Sequence, residues 1–84
     1  MNKLTELPNI GKDTARLLNE IGIFTSFDLV NIGSTEAWLK IKTIDPSACL
    51  SRLMGLEGAI QNIRWHNLSA EDKKHLKDFY ESNK

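Results

Sequence analysis

Leu7-Pro8-Asn9-Ile10-Gly11, met again as Leu29-Val30-Asn31-Ile32-Gly33, is the pair of segments from which the architecture of this 84-residue chain can be read. Asparagine, isoleucine and glycine recur in the same order. The correspondence resumes with Ala15 against Ala37 and Leu17 against Leu39. Each Asn-Ile-Gly stands just before a helix-like run. The pattern predicts small helices joined by tight, glycine-containing turns, in which Asn9, Ile10, Gly11, Asn31, Ile32 and Gly33 shape the junctions.

Outward from these junctions the periodicity is helical throughout. Pro8 argues against a helix running through the first segment. Residues 12–21 place Ala15, Leu18 and Ile21 on one face with Leu17 on its shoulder, and Gly22 is a left-handed cap onto which Ile23 folds back. Thr25-Ser26-Phe27-Asp28 has the form of a capping box, with Asp28 at the third helical position. The short helix it opens ends near Asn31 and takes its apolar contacts from Phe27, Val30 and Ile32. Gly33-Ser34-Thr35-Glu36 opens the next helix, with Ala37, Trp38 and Ile41 as its inward stripe.

Asp45-Pro46 is the clearest helix-start signal, because aspartate caps free amides and proline suits the first helical position. The helix it opens is predicted to reach about residue 63, with Leu50, Leu53, Leu56, Ile60 and Ile63 in register. Gly55 and Gly58 lie inside that apolar run, where glycine costs about 1 kcal/mol relative to alanine. Either another helix packs close there, or the helix is bent. Trp65-His66-Asn67-Leu68 is a connector, and Ser69 caps a last helix with Leu76, Phe79 and Tyr80 on its buried face. No segment reads as a strand. The expected fold is all-α, a compact bundle of four to five short helices with helix-hairpin-helix-like turns, forming one domain over 1–84 with its core at about 7–80.

Size and charge bound the function. A chain of 84 residues makes one small core and not the large cleft of a typical metabolic enzyme. Lysine plus arginine total 11 and so do aspartate plus glutamate, whereas a duplex-holding domain usually carries a clear positive excess. The single cysteine, Cys49, excludes an internal disulfide and fits a reducing cytoplasm; it reads as an inert, partly buried thiol. No signal-like run and no stretch near the roughly 20 apolar residues of a membrane span is present, so a soluble cytoplasmic protein is expected.

Two local groupings carry chemistry. Gly11, Lys12 and Arg16 form the candidate phosphate or DNA-backbone site, since a helix entry offers free amides and the two cations lie one turn apart. Asp13 and Glu20 on the same helix blunt its field, and the glycine is equally explained as a positive-φ junction. Arg64, Trp65, His66 and Asn67 form the candidate protein-docking site, with Trp65 closing the core and His66 partly exposed. His66 and His75 stand outside any ligand-spaced grouping, so neither a metal nor another cofactor is expected. No base and oxyanion site can be named around Cys49, and an enzyme is not expected.

Taken in order, these pieces resemble the C-terminal domain of the TfoX/Sxy family of bacterial regulators of natural competence and DNA transformation. The resemblance runs from about Leu7 to Leu76 and rests on Leu7-Pro8-Asn9-Ile10-Gly11, Leu17-Leu18, Ile21-Gly22-Ile23, Thr25 and Leu29-Val30-Asn31-Ile32-Gly33. Its most specific part is Leu53-Met54-Gly55-Leu56-Glu57-Gly58-Ala59-Ile60, followed by Arg64-Trp65-His66-Asn67-Leu68. The resemblance implies an all-helical domain related in shape to helix-hairpin-helix modules. It also implies a role in competence-gene transcription, with the catabolite-responsive activator as expected regulatory partner and no established catalytic residues. Full-length members carry an N-terminal domain of a different fold, for which this chain has no room. The expected function is therefore a non-enzymatic regulatory or adaptor domain working through protein contact. The alternative is sequence-independent DNA-backbone binding through the turns.

Overall fold

Residues at positive φ end three of the helices and shape the first turn. In the computed structural model, which describes residues 3–84, these are Asn9, Gly22, Gly33 and Asn62. Between and around them run α1 (Lys12–Glu20), α2 (Ser26–Ile32), α3 (Ser34–Ile44), α4 (Leu50–Gln61) and α5 (Ala70–Asn83), with 3-10 turns at Leu4–Glu6 and Trp65–Asn67. The fold is an all-α bundle of five helices. Among the described residues the only β-type pairing is an isolated bridge between Lys3 and Thr25.

Two of the helices end in the same way. After α1, the Gly22 amide donates to the Asn19 carbonyl at 3.1 Å and the Ile23 amide to Leu18 at 2.9 Å. After α4, the Asn62 amide donates to Ala59 at 3.1 Å and Ile63 to Gly58 at 2.9 Å. This double bond pattern needs a left-handed residue at the turn, which glycine takes freely and asparagine tolerates. Asn62 thus stops α4 before Ile63. The start of α2 is the predicted capping box: the Asp28 amide donates to Thr25 Oγ1 at 3.1 Å, and the Thr25 amide donates back to Asp28 Oδ2 at 3.2 Å.

The two Asn-Ile-Gly segments share a sequence and not a backbone. In the second, Asn31 and Ile32 belong to the last turn of α2, and Gly33 alone is the junction, at φ 87°. It both ends α2 and begins α3, with no residue to spare. In the first, Gly11 sits at an ordinary φ of −92°, and Asn9 carries the positive φ of 69°. Each segment does precede a helix, but through different residues.

Asp45-Pro46 is not the start of α4. Asp45 ends α3, and its Oδ1 accepts from the Ser47 amide at 3.1 Å and from the Ser47 hydroxyl. The one turn this builds delivers Ala48 to the core and does not propagate; the helix begins at Leu50 with Cys49 before it. Cys49 is exposed rather than partly buried.

α4 is the centre of the bundle, touching α2, α3, α5 and the connector, while α1 packs on α3 and the first 3-10 turn. Leu53, Met54, Leu56 and Ala59 of α4 are buried against Ala37, Trp38 and Ile41 of α3. Trp38 is fully buried, donates its indole N–H to the Cys49 carbonyl at 3.1 Å, and meets Phe79 and Tyr80 of α5 edge-on at 6.1 and 5.7 Å. Lys42 lies 5.4 Å from the Trp38 ring centroid and donates to the Asn83 carbonyl, tying the end of α5 down. The predicted stripes of α3 and α5 are those observed; of the one predicted for α4, Leu53 and Leu56 are fully buried, Leu50 and Ile60 pack at the edge of the core, and Ile63 lies beyond the helix. On α2 the inward residue is Leu29, fully buried, with Ile32 beside it; Phe27 and Val30 point to solvent.

Candidate functional site

Asn9 is the residue that organises the surface. Its side-chain amide donates to the Ile63 carbonyl at 3.0 Å and to the Gly55 carbonyl at 3.4 Å, and its Oδ1 accepts from the Trp65 amide at 3.2 Å. One side chain from the first turn therefore joins α4 to the connector. The glycines of α4 make room for it. A Cβ on Gly55 would sit 3.4 Å from Asn9 Cβ, and one on Gly58 would sit 2.6 Å from Asn9 Nδ2 and 2.8 Å from the Ile63 carbonyl oxygen. The close neighbour that glycine spacing foretold is this turn and connector, not another helix.

The candidate docking residues 64–67 follow directly. Trp65 is half-buried and packs on the core; Arg64, His66 and Asn67 are exposed. The His66 ring stacks on Trp65 with centroids 3.9 Å apart. Lys73 of α5 is only half-exposed and donates to the His66 carbonyl at 2.9 Å. The structure thus brings these four residues into one rigidly held turn.

The candidate phosphate site is arranged differently. Gly11, Lys12 and Arg16 are all exposed. The Arg16 guanidinium forks between Asp13 at 2.9 Å and Glu20 at 2.7 Å. Asp13 also meets Arg52 of α4 at 3.4 Å, and Arg52 meets Asp45 at 3.2 Å. Two of the three cations in this group are thus answered by carboxylates, leaving Lys12 outside any ion pair among the described residues. The hydrogen bond from Arg16, supported by its charge and that of Arg52, holds the Asp13 carboxyl below its ordinary pKa. The Ser47 hydroxyl and amide, aided by the charge of Arg52, do the same for Asp45.

An acid sensitivity follows. A carboxylate whose pKa is depressed by folding stabilises the fold above its unfolded value of about 3.9, and that contribution fades as pH falls through the folded value. Unfolding free energy measured by urea between neutral and strongly acidic pH is expected to hold steady down to about pH 4 and then to drop. Asp13→Asn should flatten part of that drop. A variant that follows the parent curve throughout would show that Asp13 contributes nothing to it.

The surface that sequence reading missed lies on α2. Phe27 is 71% exposed, Phe24 62% and Val30 53%. The three recur every third residue and so form one stripe along the outer side of α2 and its lead-in. Phe24 also borders a shallow depression of about 220 Å³ with Leu4, Ala15 and Asn19. Leu29–Ile32 and Phe27–Val30 have the same spacing, so periodicity offers two apolar faces of equal merit. The positions of α3, reached through the single residue Gly33, and of α4 decide which face is covered.

A second depression, about 270 Å³, lies where Gly33, Ser34 and Thr35 of the α3 entry face Glu57, Asp72 and His75. Ser34, Glu57 and Asp72 are linked to one another through Gln61. Ser34 Oγ donates to Glu57 at 2.6 Å, and the Gln61 amide donates to Glu57 at 2.7 Å and to Asp72 at 3.0 Å. Among the described residues no three His, Cys, Asp or Glu side chains gather as a metal site, and no helix is long and apolar enough to cross a membrane.

Fold and surface together define a small helical domain built around a central helix, with a connector pinned by the Asn9 side chain. The chain belongs to the TfoX C-terminal domain family, whose profile matches residues 1–80. Two crystal structures from Listeria monocytogenes are similar to it across nearly their whole length. One, described as an uncharacterized protein in a triclinic form, is 49% identical, with 95% of this chain and 91% of that one covered and a TM-score of 0.94. The other, described as a protein of unknown function in a tetragonal form, is 48% identical, with 96% and 99% covered and a TM-score of 0.94. Comparison with curated proteins gives no match.

Proposed function

We propose that this domain is a non-enzymatic adaptor in competence-gene regulation that works by binding a protein, the catabolite-responsive activator being the first partner to test. Family membership supports the regulatory setting. The observation that carries the adaptor reading is the Phe24–Phe27–Val30 stripe, three large apolar side chains left in water on α2 and its lead-in. Two phenyl rings of about 150–250 Å² each, more than half exposed, approach the few hundred Å² at which an apolar patch commonly marks an interaction site. Direct contact with a DNA backbone draws less support, because the Arg16 guanidinium already serves two carboxylates and the chain's formal charge is zero.

The test is a calorimetric titration of the intact chain into the purified activator. Saturable binding is expected, and Phe27→Ser should weaken it at least tenfold, about 1.4 kcal/mol, with an unchanged circular dichroism spectrum. An activator that gives no heat and no complex with the parent chain would exclude it as the partner. A parallel titration with short duplex DNA separates the alternative. Binding there that steepens at low salt and vanishes in Lys12→Glu/Arg16→Glu would favour the backbone-binding reading over the adaptor.

A further inference from the structure

Trp65 and His66 make a flat aromatic ledge, their rings 3.9 Å apart and 29° from parallel. Trp65 rests on the core, so the exposed His66 ring is backed by a fixed partner. Asn9 holds the Trp65 amide and the Ile63 carbonyl on the other side of Arg64. A ledge held in this way loses little conformational freedom when something binds to it.

Two cations flank the ledge. Arg64 precedes it in the chain and is exposed, and Lys73 reaches back from α5 to the His66 carbonyl. Neither meets a carboxylate in an ion pair among the described residues, whereas Arg16 and Arg52 are each shared between two. The acids nearest in sequence are Glu71, exposed on the first turn of α5, and Asp72, which accepts from Gln61. Positive charge beside an aromatic surface is thus left without an internal counterpart at the connector.

We propose that the connector receives an acidic segment of a protein partner. Carboxylates of that segment meet Arg64 and Lys73, and an apolar or aromatic side chain lies on the Trp65–His66 pair. The proposal rests on the adaptor reading and adds a second contact face to it, distinct from the α2 stripe. A protein segment fits better than a nucleic acid. Strand binding draws on a run of stacking rings along a positive groove, and here a single ledge stands close to Glu71 and Asp72 on a chain of zero formal charge.

The experiment is a titration of the nitrogen-15-labelled chain with a short peptide rich in Asp and Glu and containing one Phe, followed by NMR. The expected result is a saturable shift of the Trp65 indole and of the backbone amides of residues 64–67, with the Trp38 indole unmoved. Arg64→Glu combined with Lys73→Glu should weaken the response at least tenfold while the Trp38 resonance reports an intact fold. The proposal is overturned if no residue of the connector shifts saturably, if shifts are confined to residues 24–30, or if a lysine-rich peptide or a short DNA duplex moves the connector as strongly. The two readings fail separately. Activator binding that depends on Phe27 with no acidic-peptide response removes only the connector proposal, and loss of all activator binding removes the adaptor partner itself.

Discussion

Trp38→Ala is expected to destabilise the domain by about 3–5 kcal/mol, the range for removing a large buried aromatic. For a chain of this size that lowers the melting temperature by roughly 15 °C or more. The reason is the number of elements that meet at one ring. Trp38 has no exposed surface, its indole N–H is the partner of the Cys49 carbonyl at the entry to α4, and Phe79 and Tyr80 hold α5 against its edge. Alanine leaves a cavity and an undocked last helix, and the Cys49 carbonyl keeps only its backbone donors, Arg52 and Leu53. Trp38→Phe should fall between the parent and alanine, since it restores most of the volume but not the donor. Urea unfolding monitored by far-ultraviolet circular dichroism measures both; a loss below about 1.5 kcal/mol for alanine would contradict the central position given to this ring.

Gly58→Ala is the second large effect, with an expected loss of about 2–3 kcal/mol. On helix propensity alone the change would gain about 1 kcal/mol. The added methyl, however, would sit 2.8 Å from the Ile63 carbonyl oxygen and 3.2 Å from Trp65 Cα, both backbone atoms that cannot turn aside. It would also lie 2.6 Å from Asn9 Nδ2. Gly55→Ala supplies the control. Its methyl would reach only to 3.4 Å from Asn9 Cβ, so propensity and crowding should roughly cancel. Asn9→Gly keeps the positive φ without strain and isolates the side-chain hydrogen bonds, for an expected loss of about 2 kcal/mol. In the double variant Asn9→Gly/Gly58→Ala the clash with Nδ2 is gone and the clash with the backbone stays. The combined loss should therefore be smaller than the sum of the two, and strict additivity would show that the residues do not act on one another.

Much of this fold is legible before any coordinates. The capping box at Thr25, the Ser69 cap, the Gly22 ending and the stripes of α3 and α5 each follow from a local rule, and local rules suffice where a helix end or a periodic face is concerned. Where two local rules compete, tertiary context chooses. Asp45-Pro46 satisfies every requirement of a helix start, yet Asp45 is committed to ending α3 and to Ser47 and Arg52. Leu29 and Phe27 are equivalent by period, and α3 and α4 cover only one of them. The pair of Asn-Ile-Gly segments is the sharpest case. Their identity conceals that the first works through an asparagine side chain whose partners lie far along the chain, which no short-range pattern contains. For the same reason the α2 stripe does not declare itself as exposed, while residues 64–67 stand out as a unit because an arginine and two adjacent rings follow a long apolar helix.

The Asn9 contacts also bear on how the chain comes to be folded. Asn9 leaves the ribosome long before Ile63 and Trp65, its partners 54 and 56 positions later. During synthesis the first turn therefore has water for a partner, and α1 and α2 emerge with the pocket for that turn still unmade. The amino-terminal turn is made first, and its side-chain partners arrive only with the connector. Closure of that turn is thereby tied to arrival of the connector, so a chain interrupted anywhere before residue 63 lacks the contacts that pin its beginning.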